Sequence, residues 1–322
     1  MGSQRACPTE KWVNRTVRLT DLARRCYAAA TIAVLRPYTR RELPGWGFMY
    51  RKLVGDYHRD PLWAGQEHRW VRGKLHGYEM SLRIAGWSNR MTFFLGRFYD
   101  LPTQLLLRRI LRPGDCFVDI GANEGMMSLL ASRLVGDAGA VIAFEPSPGP
   151  RGIFEANLAR NGIRNVDIRA AGVADAAGEM ELFVPAVNSG EASFTELSYE
   201  EGQRVACPVV VGDEALRSVS PSLIKIDVEG FEGRVIRGLE ATLQRARPIL
   251  SVEMVAGHLA RDGWTPQELC RHLEDRGYVG RKVALKGRRR KDLAFGPIDA
   301  EWKDGDYVWV HRTDPRLDIR AR

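Results

Sequence analysis

One stretch near the middle of the chain constrains the fold more than any other. An apolar run over 116–120 breaks into a turn that contains Gly121 and Gly125, and then becomes an apolar, helix-prone run over 126–135. This order predicts a strand, a glycine turn and a helix. A second apolar run ends in Glu145, about twenty residues past the turn, where a carboxylate can accept hydrogen bonds from ribose hydroxyls. The stretch therefore predicts the entry point of a nucleotide-containing cofactor.

The glycine spacing distinguishes between cofactors. A dinucleotide fingerprint G-x-G-x-x-G that began at Gly121 would need glycine at Asn123 and glycine or alanine at Met126, so NAD is disfavoured. The pattern D-x-G-x-N-x-G, with Glu145 after the second strand, is similar to motifs I and II of the Rossmann-like S-adenosylmethionine-dependent methyltransferases. A tight turn in some other doubly wound domain is the alternative at this point.

The bulk composition favours a cytoplasmic α/β protein. With 322 residues and 44% hydrophobic content, the chain can bury a full α/β core. The longest apolar run near the N-terminus, 27–35, is far shorter than the ~20 residues that span a bilayer, and it lacks the features of a signal peptide. Five cysteines without a C-x-x-C pair favour reduced, mostly buried thiols. No histidine spacing indicates a zinc site, and no resident metal is expected.

The net charge of +8 is concentrated in the N-terminal part. Residues 1–112 hold 21 Lys/Arg against 8 Asp/Glu, or +13, whereas residues 113–322 hold 27 against 32, or −5. A second basic cluster lies at 282–291. Such patches attract anionic headgroups, acidic glycans, nucleotide-linked substrates or nucleic acid without identifying which, and an ordinary solvated face is the alternative.

The N-terminal 100 residues are expected to form a basic, aromatic-rich accessory region, and 101–322 a methyltransferase domain. From Thr20, which suits an N-cap, a cationic amphipathic helix is predicted to end before Pro37. It fits peripheral contact with the inner membrane face, and equally a helix packed on its own domain. The aromatic side chains of 37–100 are interpreted as the core of a subdomain or as a surface for sugars or acidic ligands. Within this segment, a hairpin is predicted over 68–86.

Alternating strand and helix signals predict an α/β fold with a doubly wound, mostly parallel sheet. The predicted strands are 116–120, 140–145, 166–173, 178–184, 207–211, 223–228, 249–253, 278–285 and 306–311, and the predicted helices are 101–111, 126–135, 149–161 and 266–276. A polar loop at 186–204 is long enough to be a lid or a substrate loop.

A second informative stretch runs over 223–230. Side chains two positions apart lie on the same face of a strand, so a strand here would place Lys225, Asp227 and Glu229 on one face. Asp227 and Glu229 would lie at its carboxyl end, where open α/β sheets bind ligands. We interpret Asp227 and Glu229 as functional. A salt-bridge cluster in which Lys225 pairs with a carboxylate is the alternative. Glu253, at the end of the next predicted strand, would place a third carboxylate nearby.

These motifs together resemble the FkbM-type methyltransferase family, over 110–255 and in the family's order. The stretches that carry the resemblance are VDIGANEG, IAFEPSP, EANLARNG, GVAD, GEASF, IKIDVEGFE and PILSVEM. The resemblance implies a Rossmann-like class I fold, S-adenosylmethionine as cofactor, and O-methylation of a hydroxyl on a secondary metabolite or a saccharide. Residues 1–100 carry no part of it.

The resemblance also implies a role for each matching residue. The residues implied to hold the methionine end of the cofactor are Asp119, Gly121, Asn123 and Gly125. Those implied for the ribose and the adenine side are Glu145, Pro146, Ser147, Asn157 and Asp175. Asp227 and Glu229 are implied to face the transferred methyl.

Methyl transfer depends mainly on aligning the acceptor oxygen with the methyl carbon and the sulfur. Our hypothesis is that Asp227 or Glu229 accepts the proton of the acceptor hydroxyl. In an alternative, Asp227, Glu229 and Glu253 hold Mg²⁺, which would acidify the hydroxyl.

A saccharide, glycolipid or glycosylated metabolite is the favoured acceptor, because aromatics and arginines accompany each other in 37–100. The runner-up is a polyketide-type hydroxyl. An N-methyltransferase is disfavoured because KIDVEG stands where an N/D-P-P-Y/F turn would be, and a nucleic-acid methyltransferase because no binding module is recognised. A non-catalytic S-adenosylmethionine-binding protein is a further alternative, and no oligomeric state is predicted.

Overall fold

A computed structural model describes residues 21–66, 68–185, 202–287, 291–299 and 301–316. The chain forms two compact units. The first unit comprises the chain up to His68 together with Arg83–Leu95. The second unit comprises Arg69–Leu82 together with the chain from Gly96 onwards. Residues 69–82, although part of the predicted accessory region, thus belong to the unit that carries the large sheet. The predicted N-cap Thr20, Cys7, the GEASF motif, most of the predicted 186–204 loop and the middle of the second basic cluster lie outside the described residues.

The first unit is helical, with an aromatic core. Its helices are α1 (Asp21–Arg40), α2 (Trp46–Leu53), α3 (Asp60–Trp63) and α4 (Trp87–Leu95), with a short 3-10 helix at Tyr57–Arg59. Trp63 and Phe94 are fully buried and meet edge to face, and Tyr50 packs on Phe94 in the same way. Of the two interpretations of the aromatic segment, these side chains therefore fit the core of a subdomain.

Helix α1 does not end before Pro37 as predicted, but continues through it to Arg40. A proline inside a helix removes one main-chain hydrogen bond and normally bends or ends it. Here tertiary contacts hold the last turn: the Thr39 hydroxyl donates to the carbonyls of Leu35 and Phe94, and the Arg36 guanidinium donates to that of Phe93. Sequence periodicity carries no information about these partners on α4.

The second unit contains three sheets and the remaining helices. Its helices are α5 (Leu101–Ile110), α6 (Met126–Val135), α7 (Pro148–Asn161), α8 (Gly212–Ala215), α9 (Glu232–Arg237), α10 (Glu240–Ala246), α11 (Ala256–Leu259) and α12 (Pro266–Glu274). Its strands are β1 (His68–Arg72), β2 (Glu79–Arg83), β3 (Cys116–Ile120), β4 (Ala140–Phe144), β5 (Val166–Arg169), β6 (Gly172–Ala174), β7 (Gly178–Pro185), β8 (Gly202–Val211), β9 (Leu223–Ile226), β10 (Ile249–Met254), β11 (Tyr278–Lys286), β12 (Asp292–Gly296) and β13 (Gly305–His311).

The large sheet has eight strands in the order β12-β11-β13-β10-β9-β3-β4-β5. Strands β5, β4, β3, β9 and β10 run parallel, and β13 is antiparallel to β10. Alternate strand residues bury opposite faces: Phe117 packs with α5 and α6, whereas Val118 packs with α9, α10 and α12. The carboxyl ends of β3, β4 and β9 meet at one edge, which is where such sheets bind ligands.

Several sequence predictions require correction. The predicted strand 166–173 is two strands, β5 in the large sheet and β6 in the three-stranded sheet β6-β8-β7. Strand β9 ends at Ile226, so Asp227 and Glu229 lie in the following loop and the period-two argument does not apply to them. Strand β12, which pairs with β11, was not predicted. The hairpin predicted within 68–86 is confirmed as the two-stranded sheet β1-β2.

Candidate functional site

The turn after β3 brings bare main chain against the loop after β9. Gly121 and Gly125 have φ values of +80° and +79°, and Asn123 between them has +52°. A Cβ at Gly121 would lie 1.9 Å from the carbonyl oxygen of Asp227, and one at Gly125 would lie 2.1 Å from the Phe154 ring. Because a side chain has no room at either position, both sites require glycine.

Glu145 follows β4 directly and joins two segments of the site. Its Oε2 accepts the N–H of Asn123 at 2.7 Å, and its Oε1 accepts the N–H of Ser147 at 2.8 Å. Burial raises the pKa of Glu145 to about 7, against the effect of these two donors. A carboxylate oxygen has two lone pairs, so each can accept a further bond from a ribose hydroxyl.

Lys225 forms salt bridges, which is the alternative that the sequence left open for this residue. Its Nζ lies 3.0 Å from Asp227 Oδ2 and 3.6 Å from Oδ1 of the buried Asp119. Burial opposes the charge of Lys225, but the attraction of Asp227 and Asp119 outweighs it and raises the lysine pKa. The other oxygen of Asp119 accepts the Ser128 hydroxyl at 2.6 Å. A permanent positive charge therefore lies beneath the cofactor turn.

Glu229 adopts a strained backbone conformation at the end of the same loop. Its φ of +53° lies in the left-handed region, which a non-glycine residue adopts at a cost and mainly at functional sites. Its Oε2 lies 3.0 Å from Nδ1 of His258 on α11. This hydrogen bond raises the pKa of His258, although burial opposes it. The carboxylate of Glu232 supports the loop by accepting the N–H groups of Val228 and Gly230, both at 3.2 Å.

A cavity lies at the carboxyl ends of β3, β4 and β9. Six of the predicted site residues line it: Gly121, Asn123, Glu145, Pro146, Asp227 and Glu229. The remaining lining residues are mostly apolar: Ile120, Phe144, Pro150, Gly172, Val173, Leu182, Val228 and Phe231. The mixture of an apolar lining with a few convergent polar groups is typical of small-molecule sites.

The other predicted site residues are not part of the cavity lining. They are Asp119, Gly125, Ser147, Asn157 and Asp175. Asn157 is fully buried and supports the turn from behind, since its side chain accepts the N–H of Ser81 at 2.8 Å and donates to the carbonyl of Glu124 at 3.3 Å. Asn157 therefore supports the glycine turn, and its implied role on the adenine side stays a prediction.

Asp175 takes part in an ion-pair cluster. Its carboxylate lies 2.8 Å from Nε of Arg234 and 3.0 Å from an NH2 group of Arg237. Partial burial would raise the pKa of Asp175, but the two arginines outweigh it and lower the pKa. These contacts connect the end of β6 to α9.

Two further carboxylates lie near Asp227, outside the lining of the cavity. Glu253 on β10 pairs in register with Asp306 on β13. The charge of Asp227, and then burial, raise the pKa of Glu253 well above its usual range. One oxygen from each of Asp227, Glu229 and Glu253 lies within 4.8 Å of the others, so these three side chains could hold a divalent cation.

The sequence interpretation missed two sets of residues. The apolar wall formed by Val173, Leu182 and Phe231 comes from three distant segments, and apolar side chains carry no local signal of a site. His258 was passed over because its partner, Glu229, is 29 positions away in sequence. Its place directly after β10, at the ligand edge of the sheet, is the signal that could have identified it.

The strand order, the glycine turn after β3 and the acidic residue after β4 define a Rossmann-like class I methyltransferase fold, as predicted. The family model "Methyltransferase FkbM domain" matches residues 119–279, which is half of the chain. The chain belongs to the FkbM methyltransferase family. The predicted family is thereby confirmed, and it places the chain among the methyltransferases, as predicted.

Similar proteins include "31-O-demethyl-FK506 methyltransferase FkbM" of Streptomyces tacrolimicus, which is 30% identical over 174 residues. That alignment covers 44% of this chain and 66% of the relative, a little under two thirds of its length. A crystal structure of the methyltransferase FkbM from Methylobacillus flagellatus KT matches with 13% identity and a TM-score of 0.36, over 82% of this chain and 60% of that one. Fibrillarin from Aeropyrum pernix, crystallised with natively bound S-adenosyl-L-methionine, also matches with 13% identity and a TM-score of 0.36, over 65% of this chain and 73% of that one.

Proposed function

We propose that this chain binds S-adenosylmethionine in the cavity and methylates a hydroxyl of a saccharide, glycolipid or glycosylated metabolite. The observation that carries the proposal is that two carboxylates, Asp227 and Glu229, line the same cavity as the glycine turn and Glu145. This arrangement places groups that can receive a proton beside groups that suit a nucleoside.

Each part of the cofactor has a matching surface. The Glu145 carboxylate suits the ribose hydroxyls, and the main chain of Gly121 and Asn123 suits the methionine end, where no side chain intervenes. Val173 and Phe231 offer an apolar wall for the adenine ring. The Lys225 ammonium partly balances the negative charge of the site, because it forms an ion pair with the Asp227 carboxylate.

The reaction is a displacement at the methyl carbon. A bond forms between the acceptor oxygen and the methyl, the bond from the methyl to sulfur breaks, and its electron pair stays on sulfur as S-adenosylhomocysteine leaves. The hydroxyl proton moves to a carboxylate as the new bond forms. We favour Glu229 as the proton acceptor, because Asp227 already holds the Lys225 ammonium at 3.0 Å.

His258 is proposed to position Glu229. The 3.0 Å hydrogen bond between His258 Nδ1 and Oε2 of Glu229 fixes the orientation of the carboxylate. Gly230 allows the close approach, since a Cβ there would lie 2.6 Å from the His258 carbonyl oxygen. Positioning of this kind suits a reaction that depends on alignment.

The carboxylates around the cavity also support the choice of acceptor. Asp227, Glu229 and the neighbouring Glu253 offer many hydrogen-bond acceptors, which suits a compound with several hydroxyls. The aromatic segment gives less support than expected, because Trp63, Phe94 and Tyr50 are buried. The second candidate acceptor is a polyketide-type hydroxyl, which is favoured by the relative named for 31-O-demethyl-FK506.

The first prediction concerns the cofactor. Calorimetric titration should show binding of S-adenosylmethionine and no binding of NAD, and Glu145→Ala should weaken that binding by about tenfold or more, since hydrogen bonds to a charged group are lost. Binding of NAD alone, or of neither compound, would overturn the proposed function.

The second prediction concerns the proton acceptor. Glu229→Gln should lower kcat by about 10²- to 10⁴-fold while it leaves S-adenosylmethionine affinity nearly unchanged, because the amide keeps the shape but cannot accept the proton. Asp227→Asn, the matched change on the neighbouring carboxylate, should cost less.

Wild-type turnover in both variants would refute the hypothesis. We expect EDTA to have no effect. Loss of activity in EDTA that Mg²⁺ restores would instead assign Asp227, Glu229 and Glu253 to a metal site. Transfer of the labelled methyl to glycan acceptors, compared with macrolide acceptors, decides between the two substrate classes.

A further inference from the structure

The solvent face of α1 is apolar, whereas a surface helix normally exposes polar residues. Among residues 22–40 of α1, whose burial is described, the exposed positions recur with helical periodicity, and Arg25 is the one charged residue among them: Leu22, Arg25, Cys26, Ala29, Ala30, Ala33, Val34 and Pro37. Leu22 is 71% exposed and Val34 is 79% exposed. An apolar face of this extent indicates that a binding partner covers it.

Helix α2 extends this face. Its exposed apolar residues are Phe48, Met49 and Leu53, and Phe48 is 58% exposed. The two helices lie side by side and antiparallel, because the Tyr27 hydroxyl of α1 donates to the carbonyl of Leu53 and the Tyr38 hydroxyl donates to that of Pro44. We call the exposed residues of α1 and α2 the docking face.

The docking face lies in the most cationic part of the first unit. Residues 22–53 contain seven Lys or Arg residues and one acidic residue, Glu42. Arg51 and Lys52 are exposed in the last turn of α2, next to its apolar residues. Apolar side chains surrounded by basic ones are characteristic of helices that lie in the headgroup region of anionic bilayers.

We propose that the docking face binds the surface of an anionic phospholipid bilayer, with α1 and α2 parallel to the membrane plane. Insertion would be shallow, since none of the helices in the described parts of 21–316 combines the length and apolarity needed to cross a bilayer. Phe48 and Val34 would enter the boundary between headgroups and acyl chains, and the basic side chains would meet the lipid phosphates.

Vesicle flotation with the full chain tests the proposal. Binding is expected to vesicles that combine phosphatidylcholine with about one third phosphatidylglycerol, and to weaken in high salt because the attraction is electrostatic. The double variant Val34→Asp, Phe48→Asp should bind roughly tenfold or more weakly, because two apolar anchors are lost. Trp70→Asp, which changes another exposed aromatic residue, should bind like the wild type.

A charge test has its own matched control. Arg51→Glu, Lys52→Glu should lower affinity for the anionic vesicles by about tenfold or more, since each basic residue contributes on the order of 1 kcal/mol near such a surface. The corresponding change at Arg108 and Arg109, an exposed basic pair in the last turn of α5, should have little effect.

Cys26 allows the contact to be located, because it is an exposed thiol on the docking face. In a Cys7→Ser background, a polarity-sensitive fluorophore on Cys26 should shift to shorter wavelength when anionic vesicles are added.

Absence of vesicle binding by the wild type would overturn the proposal, as would binding without a fluorescence shift at Cys26. A dimer in sedimentation experiments that Val34→Asp, Phe48→Asp dissociates would overturn it too, and would assign the face to a contact between two copies of the chain.

Discussion

At the scale of the residue, Glu145 combines a structural role with the binding role that we propose for it. Its two oxygens hold the main chain on both sides of the cavity mouth, at Asn123 and Ser147. The side chain is only 6% exposed, so the same burial that orders it also raises its pKa to about 7. Its charge, and with it its strength as an acceptor for ribose hydroxyls, is therefore expected to change within the physiological range.

The third prediction follows from this pKa. A carboxyl group with a pKa of about 7 is mostly ionised at pH 8 and mostly protonated at pH 6, so the affinity for S-adenosylmethionine should fall by up to about tenfold as the pH decreases between these values. Glu145→Gln, which has no charge to lose, should bind weakly and show a much flatter pH dependence. Identical pH profiles for the two proteins in calorimetry would contradict the assignment, and would point to titration of the ligand itself.

At the scale of the element, α11 matters through one side chain. This helix has four residues and follows β10 directly, and it places His258 against the loop after β9. The left-handed backbone of Glu229 brings its carboxylate to that ring. The carboxylate that we favour as the proton acceptor is therefore held by two short segments, the loop after β9 and helix α11. Neither segment is a regular strand where the two meet.

The fourth prediction tests this pairing. His258→Leu should reduce kcat by about tenfold or more and leave S-adenosylmethionine affinity unchanged, because it removes the hydrogen bond that orients Glu229. His258→Asn should recover much of the loss, since its amide N–H can take the place of Nδ1. If the two variants lose activity equally, or if both lose cofactor affinity and thermal stability together, His258 has a general structural role instead.

At the scale of the whole molecule, the two ends of the charge distribution have different roles. The basic N-terminal part, +13 over 1–112, contains the docking face, whereas the remainder, −5 over 113–322, contains the acidic cavity. Vesicle binding, the fifth prediction, depends on the whole molecule, because a lipid surface interacts with the summed charge of many side chains. A membrane-bound enzyme would meet lipid-linked acceptors at high local concentration, which agrees with a glycolipid as one of the proposed substrates.

How much of the site could be predicted depended on how local each signal was. Gly121, Asn123 and Glu145 were identified from sequence because a strand, a turn and the next strand place them within one short segment. The structure shows why: the turn leaves no room for a side chain at Gly121. Asp227 was also predicted and lines the cavity, although the period-two argument for it failed because β9 ends at Ile226, two residues before the predicted end of the strand.

The remaining features could not be predicted because they depend on contacts between distant segments. Pro37 was expected to end α1, and the bonds from Thr39 and Arg36 to α4 prevent this. Leu182 reaches the cavity from β7, and no pattern in its own strand indicates that.

The sequence by itself determined the class of fold, the cofactor turn and the acidic loop after β9, because backbone conformation at glycines and the alternation of strands and helices are local properties. The tertiary structure alone decided which carboxylate is paired with which base, Lys225 with Asp227 and His258 with Glu229. It also decided that the aromatic segment forms a core while the face of α1 remains apolar and exposed. Burial and ion pairing are properties of neighbours in space, and a single sequence without the fold does not specify those neighbours.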